Sequence, residues 1–334
     1  MPSTVSRLGR LALVLVVAAV AAVAGYVLFV RFPGGSLAAL LGVVLTIGLV
    51  VSGARLGSNL ATTLLADYNV AEVAVDAPIT RDGGTPSPLG VVGVSADDVV
   101  EQIERADDDR NAEALVVKLN TPGGAVVPSE DIRRAAAEFD GPTVAYAEDM
   151  AASGGYWIAS GCDRFHARES SVVGSIGVNG TQLGRTGLAE KVGLDYRRFV
   201  AGEYKDTPAA WRDLSEDEVE YFQGLLDGFY DQFVDTVVEG RGLEESFVRD
   251  TEARVYLGET AHEEGLVDTV GPREEMEDDL ADELDVDEVV VEQFEPEEGL
   301  AARLRLGASA VARSFGAGVA SVLVDDDEPP VRVR

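Results

Sequence analysis

The chain has 334 residues, enough for one large domain or two small ones, and a formal net charge of −32. Its 59 acidic side chains outnumber 27 basic ones. The soluble part therefore repels nucleic acid and anionic membrane surfaces, and neither is expected to be its partner. A hydrophobic content of 46% with clear periodicity argues against disorder. The composition indicates an extreme halophile, because molar salt shortens the Debye length to about 3 Å and screens the self-repulsion.

Cysteine and histidine are scarce, which limits the chemistry open to the chain. Cys162 is the only cysteine, so no intrachain disulfide can form. With His166 and His262 as the only histidines, a zinc site lacks its usual ligands, and we expect neither a metal nor a cofactor. His166 falls in a short predicted strand and His262 in an acidic helical stretch. Both are interpreted as structural or surface residues rather than as members of a Ser-His-Asp triad.

Two apolar runs open the chain. Residues 11–30 are uncharged over about one bilayer thickness, and residues 36–54 nearly match them after a polar break at 31–35. A cleaved signal peptide is the alternative, but the first run exceeds the usual signal core of about 7–15 residues and a second run follows. We therefore expect a multi-pass protein of the cell membrane, with a hairpin of two transmembrane helices over 1–56 and a linker over 57–68. The few flanking arginines do not fix the side of the membrane.

Strand and helix patterns alternate from residue 69 onward. Such alternation predicts βα units around a largely parallel sheet, so that residues 69–293 are assigned to one α/β domain. The predicted strands cover 70–75, 114–119 and 143–146, and the predicted helices cover 96–106 and 129–139.

A capped helix and a charged tail complete the pattern. Ser215 and Glu218 have the spacing of a capping box, in front of a long helix with an apolar, partly aromatic stripe. Gly240 and Gly242 are predicted to end this helix, and the stripe is assigned to the core or to a subunit contact. Residues 294–334 are assigned to an amphipathic and acidic tail, either a helix on a membrane or partner surface or a loosely ordered segment.

Ser153 and Lys205 are the candidate catalytic pair. Ser153 lies among small residues at the predicted start of a helix, where backbone amides are free and substrate can approach. Lys205 is one of three lysines in a chain that otherwise uses arginine. Arginine stays protonated, whereas a desolvated lysine can become neutral and accept a proton. The pattern predicts a serine nucleophile, a lysine base, and oxyanion donors from Gly154 and the Gly123–Gly124 turn.

Four short motifs stand in a fixed order along this part of the chain. They are Leu119–Gly124, Ala152–Tyr156, Gly174–Val178 and Tyr204–Asp206. In order and spacing they resemble the signal peptide peptidase A family of Ser-Lys proteases, over about two hundred residues that include neither the apolar runs nor the tail. The resemblance implies a crotonase/Clp-protease-like fold of repeated ββα units. Thr121 stands where the family commonly has serine, a mild departure within the turn.

The resemblance also implies a role for each matching residue. Ser153 matches the nucleophile, Lys205 the general base, and Ser175 a serine whose hydroxyl helps to hold the lysine amine. Gly124 and Gly154 match the oxyanion site. Family members of this length form ring or dome homo-oligomers, with octamers expected, in which neighbouring subunits contribute the serine and the lysine. The implied substrates are hydrophobic peptides such as cleaved signal peptides.

Two other classes of function stay open at this point. One is a non-catalytic membrane scaffold with a protease-like fold, and the other is an acyl-CoA hydratase or thioesterase, because the crotonase fold hosts both kinds of protein. The presence of both Ser153 and Lys205 argues against the scaffold, and the apolar hairpin argues against the acyl-CoA enzyme.

Overall fold

A computed structural model describes residues 4–30, 36–64, 68–84 and 93–296. The chain divides into two units, Met1–Phe294 and Glu295–Arg334, and every helix and strand named below belongs to the first. The predicted polar break at 31–35, residues 65–67 of the predicted linker and residues 297–334 of the predicted tail lie outside the described residues.

The N-terminal part of the chain is helical. Helix α1 covers Thr4–Gly25 and continues into a π-helical turn, and α2 covers Ser36–Leu64. Leu11–Phe29, a stretch of 19 residues, is the one candidate membrane span found within the described residues. The apolar part of α2 identified there, Gly42–Ser58, is shorter. One of the two predicted spans is thus long and apolar enough to cross a bilayer.

Helices α1 and α2 pack closely against each other in antiparallel directions. A Cβ atom added at Gly53 would lie 2.6 Å from Cβ of Ala21, and one added at Gly57 would lie 3.1 Å from Cα of Val14. Small residues at these positions allow the two backbones to approach, as they do in helix pairs within membranes.

The rest of the described chain is a mixed α/β domain. Its strands are β1 (Val70–Val75), β2 (Ile79–Thr80), β3 (Val94–Ser95), β4 (Ala114–Thr121), β5 (Thr143–Ala152), β6 (Arg164–Ala167), β7 (Val172–Gly174), β8 (Val255–Leu257), β9 (Thr269–Val270) and β10 (Val291–Gln293). Its helices are α3 (Ala96–Asp107), α4 (Val126–Ala137), α5 (Gly154–Ala159), α6 (Thr186–Val192), α7 (Glu216–Arg241), α8 (Glu245–Asp250), α9 (Gly258–Glu263) and α10 (Arg273–Leu284).

The main sheet is largely parallel, as the sequence predicted. Its strand order is β10-β1-β4-β5-β6-β9, and all of these neighbours run parallel. Strand β7 pairs in parallel with the end of β5 and antiparallel with β8. Parallel strands end at the same edge of a sheet, so the loops after β4, β5 and β7 lie together.

Strand β5 changes partner along its length. Its first half pairs with β6 from Val144 to Ala147, and its last residues, Met150 to Ala152, pair with β7. The sequence predicted only residues 143–146 as a strand, because the carboxylates of Glu148 and Asp149 interrupt the apolar run. Those carboxylates stand where β5 passes from one partner to the other, and they contact polar side chains of β4.

Helix α4 begins earlier than the sequence predicted. The sequence predicted a helix over 129–139, yet the helix starts at Val126 and includes Pro128 in its first turn. Proline is tolerated there because the first-turn amides of a helix have no intrahelical acceptor.

Helix α7 begins at the predicted capping box and ends at Gly242. The Glu218 amide donates to Ser215 Oγ over 3.3 Å, and the Ser215 amide donates to the Glu218 carboxylate over 2.9 Å. Gly242 adopts a left-handed conformation with φ of 65°. The prediction for Gly242 is confirmed, whereas that for Gly240 is wrong. Gly240 lies inside the helix, where it packs against the backbone of Ser160.

Two glycines of α7 should respond in opposite directions to the same substitution. A Cβ atom at Gly240 would lie 1.9 Å from the Ser160 carbonyl oxygen, whereas one at Gly228 would meet nothing within 4 Å. We expect Gly240→Ala to lower the free energy of unfolding by about 1–3 kcal/mol or more, because the crowded atom is backbone. Gly228→Ala should raise it by about 0.5–1 kcal/mol. Urea unfolding in molar salt, followed by circular dichroism, measures both, and a shift of the same sign in the two variants would contradict this packing.

Candidate active site

Ser153 occupies a strained position between β5 and α5. It is the N-cap residue of α5, with φ of 53° and ψ of −115°, a conformation that costs a residue with a side chain about 1–3 kcal/mol. Its amide donates to the Gly174 carbonyl over 2.8 Å, and its carbonyl accepts from the Trp157 amide over 2.9 Å. Every residue of α5 is buried. The backbone on both sides of Ser153 is thus fixed, while its hydroxyl makes no hydrogen bond within the described chain.

The Gly123–Gly124 turn lies directly against the start of α5. Gly123 has φ of 93°, and a Cβ atom there would lie 2.4 Å from the Gly154 nitrogen. A Cβ atom at Gly154 would in turn lie 3.1 Å from the Gly124 nitrogen. Thr121 holds the turn, because its hydroxyl accepts from the Gly123 amide over 3.0 Å and donates to the Ala77 carbonyl over 2.8 Å. The structure therefore brings Gly124 and Gly154 together beside Ser153.

Ser175 emerges next to Ser153. The register of β5 and β7 pairs Ala152 with Gly174, so each serine follows a paired residue at the same edge of the sheet. Ser175 also has a positive φ, of 55°, and its amide donates to the Arg254 carbonyl over 2.8 Å. Strained backbone is often found at functional sites, so these two adjacent serines make this strand edge the candidate site.

An apolar cavity of about 390 Å³ opens beside Ser153. Its wall includes Trp157, which stacks on Phe233 with ring centroids 4.5 Å apart and donates from Nε1 to Glu130 over 2.7 Å. The cavity is lined by Gly124, Ala125, Val126, Ser129, Ser153, Gly154, Trp157, Gly177, Val178, Asn179, Gly180, Phe222, Leu225, Leu226, Phe229 and Phe233.

The cavity reveals a role for α7 that the sequence analysis missed. Phe222, Leu226 and Phe229 belong to the apolar stripe that was assigned to the core or to a subunit contact, yet they line the cavity. Helical spacing shows that such residues share one face of a helix, but it does not distinguish a face packed on a sheet from one that walls a cavity. The number of aromatic residues in the stripe was the available signal.

Lys205 lies apart from this group within one chain. It is exposed, it does not line the Ser153 cavity, and its amine makes no hydrogen bond or ion pair with the described residues. Its backbone amide donates to the Gly202 carbonyl over 3.3 Å. The structure thus brings Ser153, Ser175, Gly124 and Gly154 together, but a solvent-exposed amine is not desolvated unless another surface covers it.

The remaining lysines and the histidines do not line the cavity. Lys118 lies 3.6 Å from the Glu148 carboxylate, and Lys191 is exposed on α6. His166 lies in β6, stacks on Tyr146 and bonds the Thr269 hydroxyl, and burial lowers its pKa. Its structural role is the one that the sequence predicted. His262 lies in α9, a short helix that also contains Glu259 and Glu263.

The chain is similar to known peptidases over the same region. Residues 136–287 match the model of Peptidase family S49. A "Putative protease" of Synechocystis sp. is 36% identical over 209 residues, which cover 60% of this chain and 75% of that protein. The "Putative signal peptide peptidase SppA" of Enterococcus faecium is 32% identical over 197 residues, 58% of this chain and 57% of that protein. The chloroplastic serine protease SPPA of Arabidopsis thaliana is 30% identical over 204 residues, 58% of this chain and 30% of that protein.

These similarities and the α/β fold place the chain in a class, that of the peptidases. The chain belongs to peptidase family S49, the signal peptide peptidase A family. It spans 57% of the length of the Enterococcus relative and a smaller share of the plant relative.

Proposed function

We propose that this protein is a membrane-anchored serine endopeptidase that hydrolyses hydrophobic peptides, such as cleaved signal peptides, with a Ser153–Lys205 dyad. The position of Ser153 carries the proposal. Its unpaired hydroxyl stands at a strained strand–helix junction, beside two glycine amides and at the mouth of an apolar cavity. Two relatives support the proposal by name, the Enterococcus protein as a signal peptide peptidase and the Arabidopsis protein as a serine protease.

The proposed reaction proceeds through an acyl-enzyme. The neutral amine of Lys205 removes the Ser153 hydroxyl proton as Oγ attacks the peptide carbonyl carbon. The amides of Gly124 and Gly154 donate to the oxyanion that forms, an interaction of the kind whose loss costs about 3–4 kcal/mol. The Lys205 ammonium then protonates the leaving amine, and water hydrolyses the ester. Ser175, beside Ser153, accepts a hydrogen bond from the lysine amine and orients it.

The cavity supports an apolar substrate. Its aromatic and aliphatic wall offers no charged partner at its surface, so the part of the peptide that enters it is held by burial of apolar area. A spent signal peptide is rich in such residues. Extended peptide backbone pairing with exposed strand edges would leave the sequence preference broad.

The exposed position of Lys205 supports a homo-oligomer with shared sites. Apolar side chains near it in the chain are exposed, and Phe199 is 89% and Leu194 59% exposed. A second copy covering this surface would bury those side chains and bring the lysine of one subunit to the serine of another. We propose a ring of this kind, an octamer by family resemblance, in which the isolated subunit has no complete site.

The N-terminal helices support anchoring in the cell membrane. Helix α1 contains a stretch of sufficient length, and α2 packs against it through glycines in the manner of a two-span hairpin. We further propose that the domain has the crotonase/Clp-protease-like fold. The change of partner along β5 supports this fold, because the end of β5 that leads to Ser153 pairs with β7 and no longer with β6.

A serine-reactive fluorophosphonate probe tests the proposed nucleophile directly. We expect the detergent-solubilised protein in molar salt to be labelled on the peptide that contains Ser153, and Ser153→Ala to lose the label. Ser175 lies next to Ser153 and is the internal control for accessibility, whereas Ser129 lines the same cavity but is fully buried. Absence of label, or label on either of those serines in place of Ser153, would contradict the proposal and favour a non-catalytic scaffold or another chemistry.

A further inference from the structure

Two arginines hold the carboxylate that directly follows Lys205. Arg198 donates from Nε and Nη2 to Asp206 over 3.0 and 2.8 Å, and Arg212 donates from the same two atoms over 3.2 and 3.0 Å. The Asp206 side chain is only 23% exposed, and those of Arg198 and Arg212 are 33% and 19% exposed. Each carboxylate oxygen therefore accepts from a guanidinium, in the geometry that makes charge-assisted pairs strong.

The same cluster continues to the start of α7. Arg212 donates from Nη1 to the Glu218 carboxylate over 2.7 Å and forms a second bond to it from Nη2. The Thr207 hydroxyl also donates to Glu218, over 2.8 Å. On the other side of Lys205, Arg198 donates to the Glu203 carbonyl. The turn that carries Lys205 is thus fixed on both sides and linked to the helix that walls the Ser153 cavity.

These contacts occupy Asp206, the acidic residue that follows Lys205 in the sequence. In a chain with 59 acidic side chains, an exposed lysine next to an aspartate has a carboxylate close by in the sequence with which it could form an ion pair. An ion pair favours the charged form of an amine, which cannot act as a base. Here the neighbouring carboxylate is already shared between two guanidinium groups, and those cations disfavour a third positive charge close by.

We propose that Arg198 and Arg212 are positioning residues that occupy Asp206, so that Lys205 stays free of a carboxylate partner and available as the general base. This inference rests on the proposed function, because it assumes that Lys205 is the base. Without this positioning role, the cluster of Arg198, Asp206, Arg212 and Glu218 would be an ordinary network of surface ion pairs.

The charges around the turn are consistent with this assignment. The arginines hold the pKa of Asp206 far below its ordinary value, mainly through the hydrogen bonds from Arg198 and then those from Arg212, so it stays ionised and occupied at any working pH. Arg212, followed by the Ser215 amide, lowers the pKa of Glu218 in the same way. The charged and titratable groups that face the turn include Arg198, Glu203, Tyr204, Asp206 and Arg212 from the turn and its flanks, and Asp217, Glu218, Glu220 and Tyr221 from α7.

The pH dependence of peptide hydrolysis tests the inference. Arg198→Gln should release part of Asp206 to pair with Lys205, so that the acid limb of kcat/KM moves to higher pH by about half a unit or more. Asp206→Asn should move the limb the other way, because the two guanidinium groups then stand without their carboxylate. The double variant Arg198→Gln/Asp206→Asn should lose the upward shift of the single one. Arg197→Gln is the matched control, since Arg197 pairs with Asp195 and not with the cluster.

The assay uses the full chain in detergent, with a fluorogenic hydrophobic peptide at constant molar salt. A general loss of stability would lower kcat at all pH values but would not move the limb in opposite directions in two variants. If Arg198→Gln fails to assemble, the downward shift of Asp206→Asn carries the test. An unmoved limb with an inactive Lys205→Ala protein overturns this inference alone, whereas full activity of Lys205→Ala overturns both it and the proposed function.

Discussion

Exchanging Lys205 for arginine should abolish peptide hydrolysis, with kcat/KM falling by about 10⁴-fold or more, as for other residues that act as a unit with a nucleophile. The substitution keeps a nitrogen hydrogen-bond donor on a side chain of similar length, and it should leave the ion pairs around the turn in place. It removes one property, the capacity to lose a proton, because a guanidinium stays protonated in proteins. The loss should appear mainly in kcat, since Lys205 does not line the apolar cavity that we propose as the peptide-binding site.

Lys191→Arg is the matched control for this change. Lys191 is exposed on α6 and does not line the cavity, so the same exchange should leave kcat/KM within about twofold of the wild type. Fluorogenic peptide hydrolysis in molar salt measures both variants, and size-exclusion chromatography shows whether each assembles. Retention of wild-type activity by an assembled Lys205→Arg protein would assign the base to another group. The described part of the chain offers no alternative at the cavity, whose lining contains no histidine, lysine or carboxylate.

Local patterns predicted the parts of the fold that local physics decides. The strand over 70–75 and the capping box of Ser215 and Glu218 are where the sequence placed them, because a short apolar strand run and a helix cap both depend on residues close in the chain. The end of β5 was not predicted. Glu148 and Asp149 lie where β5 changes its strand partner. Strand pairing joins residues far apart in the chain, so a local stretch of sequence does not predict it.

The candidate site divides in the same way. The sequence predicted the small residues around Ser153 and the glycine pair at 123–124 as parts of the site. They are recognisable because only glycine fits where two backbones lie so close together. The sequence did not predict that α7 forms a wall of the cavity, because this depends on which face of the helix packs against α5. The sequence indicated Asp206 only as the last residue of the Tyr204–Asp206 motif, with no role of its own. Its two arginine partners come from eight residues before it and six residues after it, without helical or strand periodicity.

Mixing two inactive proteins should restore activity if the sites are shared between subunits. Ser153→Ala keeps Lys205, and Lys205→Ala keeps Ser153, so a mixed ring contains some interfaces at which an intact serine meets an intact lysine. With equal amounts, about a quarter of the interfaces should be complete, because each half of a site has an even chance of being intact in a heterologous ring. Against the residual activity of either protein alone, this is an increase of about 10³-fold.

The two chains must assemble together for this test, so they are co-expressed with different affinity tags and purified through both. The control pairs Ser153→Ala with the double variant Ser153→Ala/Lys205→Ala, which contains no intact serine and should stay inactive. Doubly purified oligomers that remain inactive in the first mixture would place the dyad within one chain. The turn at Lys205 would then have to reach the cavity of its own subunit, against the ion pairs that tie Asp206 to Arg198 and Arg212. Those pairs tie the turn to the start of α7, so reaching Ser153 would require them to break or the whole segment to move.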